Sequence, residues 1–462
     1  MNLLCTRGIM RPKAEIEIDK ELIDDIKDLV DSKAELLVRN ILSDLHPSDI
    51  SEILDHLDEE ERNYVFQVIE PEKASEVILE LNATSRENVL DNLDEEQITE
   101  IIEEMQTDDA ANIVQELDDE TAKRVLDQLD YEDQQEVKEL LKYDEDTAGG
   151  LMQLEFVSVI DTSTMVQATN EARKKAADVE KIHDIYVVNS YGHLVGSISI
   201  EKLLVEPAEK HVAEVMHQEI PFAKTDEDQE EVAHLFKKYD LIALPVVTRA
   251  GKLVGRITID DIVDVIEQEA SEDVSKMAGS VDEDVSEQST FRISKSRLPW
   301  LFTALAGETV AAFVLSRFES SLNAILALAF FVPIIMAMAG NIAIQCSSIV
   351  IRGLATGEIS IIDIQRQIFK ELRVAAINGF VLGIALAMIV ALWIGNMQVA
   401  FVVGIALICV IFFAAFNGTL FPLLLKKLNI DPALAAGPFV TMTNDTIGIL
   451  IYLGIATLLL IR

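Results

Sequence analysis

The sequence predicts a multidomain chain with an all-α superhelical N-terminal domain, a tandem α/β unit, a connecting helix and a five-helix α transmembrane domain. Three observations predict it: an apolar residue recurs every 12 positions, a longer motif recurs at an offset of 59, and five apolar stretches follow. We expect boundaries at 1–40 (N-terminal extension), 41–148 (acidic helical solenoid), 149–270 (tandem α/β unit), 271–297 (connecting helix) and 298–462 (transmembrane domain).

The charge of the chain is divided very unevenly. The formal net charge is −41, yet only seven of the 79 acidic and eight of the 38 basic residues lie from Leu298 onward. Nucleic acid is therefore not an expected partner, because phosphate backbones require basic surfaces, and cations are favoured instead. Cys5, Cys346 and Cys409 show no disulfide or metal spacing, which favours a reducing cytosol, and the N-terminus has no hydrophobic signal region.

The 12-residue repeat predicts a stack of short helices. Its apolar members are Leu45, Leu57, Ile69, Leu81, Leu93, Met105, Leu117, Leu129 and Leu141. A polar residue usually follows, and proline comes next at Pro47 and Pro71. A polar cap followed by proline is typical of a helix start. The regular spacing therefore predicts a solenoid, with an acidic surface and no visible catalytic group.

The second repeat predicts two equivalent α/β units. "IYVVNSYGHLVGSISIEKLL" and "ALPVVTRAGKLVGRITIDDIV" align at an offset of 59, with Gly192 opposite Gly251 and Ser199 opposite Thr258. Each unit has the pattern of a strand, a glycine turn, a strand and a capped helix.

Five apolar stretches, at roughly 298–316, 321–350, 374–395, 398–425 and 433–461, are long enough to span a bilayer, which needs about 20 helical residues. Basic residues cluster before the first stretch, between the second and third, and between the fourth and fifth. By the positive-inside rule, the acidic part is cytoplasmic and the C-terminus lies outside. The sequence predicts a multi-pass protein of the plasma membrane.

The fifth stretch contains a carboxylate, Asp445. Asp431-Pro432 predicts the start of this helix, which would place Asp445 about 20 Å along it. An ionised acid there costs several kcal/mol unless it faces protein, water or a cation. Together with Thr441 on the same helix face and Asn341 on the second helix, it offers oxygen ligands suited to Mg²⁺ or Ca²⁺. The alternative is a protonated or arginine-paired structural acid.

The two α/β units resemble a pair of CBS domains. Such pairs commonly bind adenine nucleotides, and the acid of a GxxTxxD pattern holds the ribose. Thr258 and Asp261 match that pattern, whereas Lys202 stands in the position of the acid in the first unit. The resemblance therefore implies a nucleotide site in the second unit alone, with ATP as a candidate ligand.

The whole chain resembles the MgtE family of magnesium channels. The segments that carry the resemblance are "YDEDTAGGLMQLEFVSV", "DEDQEEVAHLFKKYDLIALPVV", "IDDIVDVIEQEASEDVSKMAG", "GNIAIQ", "IRGLATGEI" and "DPALAAGPFVTMTNDTIGILIY". The resemblance implies a homodimer enclosing one pore, Asp445 at the ion-selecting position, and a connecting "plug" helix at about 274–293. Ala339 stands where the family usually has glycine, and Ile342 and Ile344 are bulkier than usual.

The resemblance also implies gating by cytosolic Mg²⁺ in negative feedback. The candidate ligands of regulatory Mg²⁺ are Gly150, Asp228, Glu230, Asp240, Asp261, Asp264, Glu269, Glu272, Asp273 and Asp431, with Asp108 and Asp109 from the solenoid. We therefore expect a Mg²⁺ channel or transporter for uptake, and no enzyme. The alternatives are transport of Co²⁺, Ni²⁺ or Ca²⁺, a carrier coupled to H⁺ or Na⁺, and a non-transporting, membrane-anchored CBS nucleotide sensor.

Overall fold

The computed structural model describes residues 20–177, 179, 181–279, 290–359, 364–428, 430–435 and 437–460. It forms two compact units, Met1–Ile262 and Val263–Arg462. Residues 1–19 of the predicted extension and 280–289 of the predicted plug helix lie outside the described residues.

The first unit begins with ten short helices. They are α1 (Lys20–Asp31), α2 (Glu35–Ser43), α3 (Pro47–Asp55), α4 (Glu59–Val68), α5 (Pro71–Glu80), α6 (Ala83–Asn92), α7 (Glu95–Glu103), α8 (Thr107–Glu116), α9 (Asp119–Gln128) and α10 (Tyr131–Leu140). From α3 onward each helix begins two residues after a member of the 12-residue repeat. The structure thus confirms the prediction of a helical stack.

Polar caps and an alternating packing pattern build this stack. Asp58 and Asp94 form reciprocal capping boxes with Glu61 and Gln97, which satisfy backbone N–H groups at the starts of α4 and α7. Helix α3 packs against α5, α5 against α7, and α7 against α9. In the same way, α4 packs against α6, and α8 packs against α10. Most of these helices therefore pack against a helix two places away in chain order.

Two three-stranded α/β units complete the first unit. Their elements are β1 (Ser158–Ile160), α11 (Met165–Lys175), β2 (Asp184–Val188), β3 (Leu194–Ser199), α12 (Ile200–Val205), α13 (Val212–Val215), β4 (Ala223–Lys224), α14 (Gln229–Tyr239), β5 (Ala243–Val247) and β6 (Leu253–Thr258). In each sheet the central strand pairs in parallel with the first and antiparallel with the third. Gly192 and Gly251 have φ +81° and +82°, a conformation that favours glycine, and they confirm the predicted duplication.

The second unit contains the long helices. They are α15 (Ile259–Ala278), which enters it from the first unit, α16 (Thr290–Ser316), α17 (Glu319–Ala324), α18 (Ala327–Ala355), α19 (Ile364–Ile394), α20 (Met397–Lys427), a 3₁₀ helix (Pro432–Ala435) and α21 (Pro438–Leu460). Five segments are long and apolar enough to cross a membrane: Ile293–Ser316, Ala327–Ala355, Ile364–Ile394, Met397–Lys427 and Pro432–Leu460. This confirms the predicted number of spans.

Helix α20 is the centre of the second unit, packed against α18, α19 and α21. A Cβ on Gly404 would lie 2.8 Å from the carbonyl oxygen of Gly383 in α19, and one on Gly418 would lie 2.3 Å from that of Ala343 in α18. Small residues therefore let the helix backbones approach closely. Helix α21 also packs against α16 and α18, so the candidate ion site lies where several spans meet.

Candidate ion path and cation-sensing residues

Asp445 lies in α21, within hydrogen-bonding reach of the carboxyl group of Glu308 in α16. Close packing of these two helices brings the acids together. A Cβ on Gly307 would lie 2.0 Å from Cγ of Met442, so this position has no room for a larger residue. The sequence identified Asp445 as a candidate, but the pairing with Glu308 depends on packing between the first and last spans.

The N-terminal part of the last span differs from the prediction. The sequence predicted one helix from Asp431, which would place Asp445 about 20 Å along it. The structure instead has a 3₁₀ helix at Pro432–Ala435 and begins α21 at Pro438, so Asp445 lies about 10 Å into α21. The prediction of a continuous helix was wrong because the Ala-Ala-Gly-Pro sequence at 435–438 combines a flexible glycine with a proline that starts a new helix.

The three predicted pore residues are not joined within one chain. Thr441 and Asp445 are one turn apart on α21, and the Thr441 hydroxyl donates to the Gly437 carbonyl at 3.5 Å. Asn341 is exposed on α18, and no hydrogen bond among the described residues links it to Thr441 or Asp445. The polar face of α18, which also includes exposed Gln345 and Arg352, is not covered by the described residues of its own chain.

Asn444, next to Asp445, was not predicted. Its side chain is fully buried, and neither atom of its amide has a hydrogen-bond partner among the described residues. A buried amide without partners is costly. The position adds two buried polar atoms to α21, next in sequence to Asp445, and only knowledge of which helix face is buried could have indicated it.

Asp431 caps the 3₁₀ helix, as its position before proline predicted. Its Oδ1 accepts a hydrogen bond from the Ala433 amide at 2.7 Å, while Oδ2 accepts one from the Lys276 ammonium at 2.6 Å. Lys276 also pairs with Glu272 on its own helix. Burial alone would lower the pKa of Lys276, but the bonds to both carboxylates outweigh it and raise that pKa. The prediction named the two acids but not the lysine between them.

The other acids predicted at the exit of the second α/β unit, Asp264, Glu269 and Asp273, all lie on α15. Of the α15 acids in the second unit, Glu272 is placed beside Lys276 at the C-terminal end of the helix.

A second acidic cluster lies in the first unit. Asp108 in α8 is buried, with 3% of the residue exposed, and its Oδ1 has no hydrogen-bond partner among the described residues. Burial, and then the negative charges of Asp109, Asp261 and Glu155, raise the pKa of Asp108 well above its ordinary value. The cluster therefore brings together Asp108, Asp109 and Asp261, three predicted ligands from distant parts of the sequence.

Glu155, the fourth member of this cluster, was not predicted. It accepts hydrogen bonds from the Thr107 amide at 3.0 Å and the Thr107 hydroxyl at 2.8 Å, which fixes it at the start of α8. A buried carboxyl oxygen without a donor, in a group under the influence of other acids, fits the preference of Mg²⁺ for hard oxygen ligands. Within the described ranges, no three His, Cys, Asp or Glu side chains form a ready metal site, so a cation would have to draw these carboxylates together.

Gly150 and Asp228 lie close together and are connected through Thr147. The Gly150 amide donates to the Thr147 carbonyl at 2.9 Å, and Thr147 forms an antiparallel bridge with Asp228. A Cβ on Gly150 would lie 2.4 Å from the Asp144 carbonyl oxygen, so the turn requires glycine here. Asp228 caps α14 by accepting from the Glu230 amide at 2.9 Å.

Asp240 is separated from these residues. It ends α14 in the left-handed conformation, with φ +51°. Because α14 has 11 residues, its two ends are about 16 Å apart. Within one chain, Asp240 therefore does not share a cation with Asp228 or Glu230.

The candidate nucleotide residues Thr258 and Asp261 are bonded to each other. The Thr258 amide and hydroxyl donate to Oδ2 of Asp261 at 3.3 and 3.0 Å. In the first α/β unit, the Lys202 ammonium donates to the Val215 carbonyl at 2.8 Å. Asp261 is thus shared between a helix cap, the acidic cluster around Asp108 and the predicted nucleotide site.

Comparison with known proteins matches the chain to three family models. The "MgtE: divalent cation transporter" model matches residues 332–455, the MgtE intracellular N domain matches 45–146, and the CBS domain matches 212–268. The cytosolic domain of the Mg²⁺ channel MgtE, solved in complex with ATP, covers 53% of this chain and 99% of that structure, with a TM-score of 0.50 and 36% identity.

Curated relatives extend the match into the membrane part. The magnesium transporter MgtE of Thermus thermophilus is 40% identical over 331 residues, which is 70% of this chain and 72% of the relative. That of Enterococcus faecalis is 37% identical over 323 residues, 70% of this chain and 71% of the relative. The helical, CBS and membrane parts of this chain each match a family model, and the relatives match it over 70% of its length. This chain therefore belongs to the MgtE family.

Proposed function

We propose that this protein is a Mg²⁺-selective channel that mediates Mg²⁺ uptake, and that Asp445 is the carboxylate that selects the ion. One observation carries the proposal: Asp445 and Glu308 approach each other from two different membrane spans. Two acids within hydrogen-bonding reach in a low-dielectric region repel when both are ionised. A divalent cation removes that repulsion and matches their combined charge.

Thr441 and Asn341 complete the proposed pore. Thr441 lies one turn before Asp445, and its hydroxyl is held by its own helix. The exposed polar face of α18 that contains Asn341 supports a homodimer, because in a membrane such a face is costly unless it meets protein or water. A two-fold axis would then place equivalent residues of both chains around one path.

Oxygen donors without histidine or thiol ligands favour Mg²⁺ over softer metals. Mg²⁺ gives up its water reluctantly and needs few direct protein ligands, which fits a path with one or two carboxylates per chain. An inside-negative potential drives entry by about 2.3 kcal/mol per charge per 100 mV. The distribution of basic residues supports a cytoplasmic N-terminal part and an external C-terminus in the plasma membrane.

We also infer that cytosolic Mg²⁺ closes this channel in negative feedback. The predicted sensor acids Asp108, Asp109 and Asp261 form one cluster with Glu155, and Glu272 and Asp431 form a second one around Lys276. Carboxylates gathered in this way repel one another unless a cation neutralises them. At low Mg²⁺ the cluster around Asp108 loosens and the pore opens, and at high Mg²⁺ both clusters are neutralised by the ion and it closes.

ATP is the proposed nucleotide ligand of the second CBS unit, at Thr258 and Asp261. The solved relative in complex with ATP supports this assignment. Because Asp261 also belongs to the acidic cluster, we expect bound nucleotide to change the Mg²⁺ affinity of that cluster.

The decisive experiment is competitive flux into proteoliposomes that hold an inside-negative potential and little internal Mg²⁺. Mg²⁺ entry that exceeds entry of Ca²⁺, Co²⁺ and Ni²⁺ at equal concentrations supports the proposal. Entry of one of these ions in preference to Mg²⁺ contradicts the proposed selectivity. Dependence of entry on an imposed pH or Na⁺ gradient indicates a coupled carrier, and absence of flux indicates a membrane-anchored sensor.

A further inference from the structure

Lys276 places its ammonium between two acids that we assign to the Mg²⁺ sensor. It lies 2.6 Å from Oδ2 of Asp431, 155 residues away in sequence, and pairs with Glu272 one turn earlier on α15. The Lys276 side chain is 17% exposed, compared with 33% for Asp431 and 38% for Glu272. The lysine is thus the most enclosed member of the group, and the site already contains a positive charge.

Both oxygens of Asp431 are in use. Oδ1 accepts from the Ala433 amide at 2.7 Å, and Oδ2 accepts from Lys276. A Mg²⁺ ion that bridged Asp431 and Glu272 would therefore lie next to the ammonium, and the two positive charges would repel at this distance. Occupation of the pair by Mg²⁺ requires the ammonium to leave.

The same end of α15 is docked on the second unit. Met277 packs against Ile351 of α18 and Ala433 of the 3₁₀ helix. The helix ends at Gly279, which has φ +76° and donates its amide to the Lys276 carbonyl at 3.1 Å. Lys276 is therefore the charged contact at the docked tip of the connecting helix.

We propose that Lys276 is a built-in cation that holds the tip of α15 against the Asp431 end of the membrane unit when Mg²⁺ is scarce, and that Mg²⁺ acts at this contact by displacing it. The inference rests on the proposed Mg²⁺-sensing function. Without the ammonium, Glu272 and Asp431 face each other as two negative charges, which opposes docking. With Mg²⁺ in its place, the two acids are neutralised more completely.

The test measures docking separately from transport. Met277→Cys is introduced into the full-length protein with Cys5, Cys346 and Cys409 replaced by serine, and its rate of labelling by a maleimide is measured in EDTA and in saturating Mg²⁺. Lys276→Met removes the ammonium and keeps a long side chain. Lys370→Met is the matched control, because Lys370 is exposed on α19 and has no ion pair among the described side chains.

In EDTA we expect Lys276→Met to be labelled about tenfold faster than the parent, which is the Met277→Cys protein without its three native cysteines. The reason is the loss of the charge-assisted hydrogen bonds of Lys276. Lys370→Met should behave like the parent, and Lys276→Arg, which keeps the charge, should restore slow labelling. Mg²⁺ should protect Lys276→Met more strongly than it protects the parent. Adding Asp431→Asn to Lys276→Met should slow labelling in EDTA again, because the repulsion between the carboxylates of Asp431 and Glu272 is removed. The same double variant should be protected less by Mg²⁺.

An unchanged labelling rate for Lys276→Met in EDTA overturns the inference, even if Mg²⁺ protects the parent and the sensor function therefore stands. Failure of the proposed Mg²⁺ sensor gives a different result. Faster labelling of Lys276→Met in EDTA, with no effect of Mg²⁺ on any variant, supports the role of Lys276 in docking and contradicts the proposed sensor.

Discussion

Glu308 and Asp445 face each other across the contact between α16 and α21, with their carboxyl groups within hydrogen-bonding reach. The tight contact of Gly307 with Met442 holds the two helices together at this level. The acid of the last span therefore has an acidic neighbour from the first span. This makes Glu308 the natural second carboxylate of the proposed ion path.

We expect Glu308→Gln to weaken Mg²⁺ entry without abolishing it. One of two neighbouring negative charges is lost, while Asp445 remains. The external Mg²⁺ concentration for half-maximal flux should rise about tenfold, equivalent to ~1.4 kcal/mol of binding free energy. Proteoliposome flux measured over a range of external Mg²⁺ gives this value.

The control is Glu319→Gln, which removes an exposed acid at the start of α17. It should leave the half-saturating concentration unchanged. An equal shift in both variants would indicate a general effect of charge on ion accumulation rather than a role for Glu308 in the path.

Asp108→Asn should stabilise the cytosolic part in the absence of Mg²⁺. The native carboxyl is buried among acids and has an oxygen without a partner, which is costly. We expect the melting temperature in EDTA to rise by a few degrees, corresponding to ~1 kcal/mol, and Mg²⁺ to stabilise the variant less than the parent. The exposed Asp119, changed to Asn, should show neither effect.

The pH dependence of the same pair of proteins gives a separate prediction. The pKa of Asp108 is raised by folding, so its proton is held more tightly in the folded state. In EDTA, the Asp108 carboxyl contributes most to the free energy of unfolding below the ordinary aspartate pKa of about 3.9. Its contribution declines as pH rises towards the raised pKa of the folded state. The stability gain from Asp108→Asn should therefore grow with pH over this window. A gain that is constant or shrinks would contradict the assigned direction.

Changing Asp261, Asp264 and Glu272 together to their amides should give a leaky channel. Conduction at low internal Mg²⁺ should persist, since these residues lie outside the five spans. Inhibition by internal Mg²⁺ should require at least tenfold more of the ion, because three carboxylates of the proposed sensor are lost. Patch recording with Mg²⁺ applied to the cytoplasmic face measures both quantities, and an unaltered inhibition curve would remove these acids from the sensor.

The sequence predicted features that arise from local rules. The 12-residue repeat located the start of each solenoid helix, because caps and prolines act within a few residues. The offset of 59 predicted paired sheets with matching glycine turns, and apolar length predicted five spans. Asp431 was expected to cap a helix and does so, although the helix is a short 3₁₀ segment.

The parts that were missed arise from tertiary packing. The approach of Glu308 to Asp445 depends on α16 lying beside α21, two spans far apart in sequence. Lys276 could not be placed between Glu272 and Asp431 without knowing where α15 ends against the membrane unit. Similarly, Asp108 has the same local sequence pattern as many exposed acids of the solenoid, and only its burial distinguishes it.

The most direct test of the account compares Mg²⁺ flux of the native protein and Asp445→Asn in proteoliposomes with low internal Mg²⁺ and an inside-negative potential. Asparagine keeps the shape of the side chain and removes its charge. We predict that the native protein conducts Mg²⁺, and that the variant either stops conducting or loses its preference for Mg²⁺ over Ca²⁺. Equal Mg²⁺ flux with unchanged selectivity in both proteins would contradict the assignment of Asp445 as the ion site.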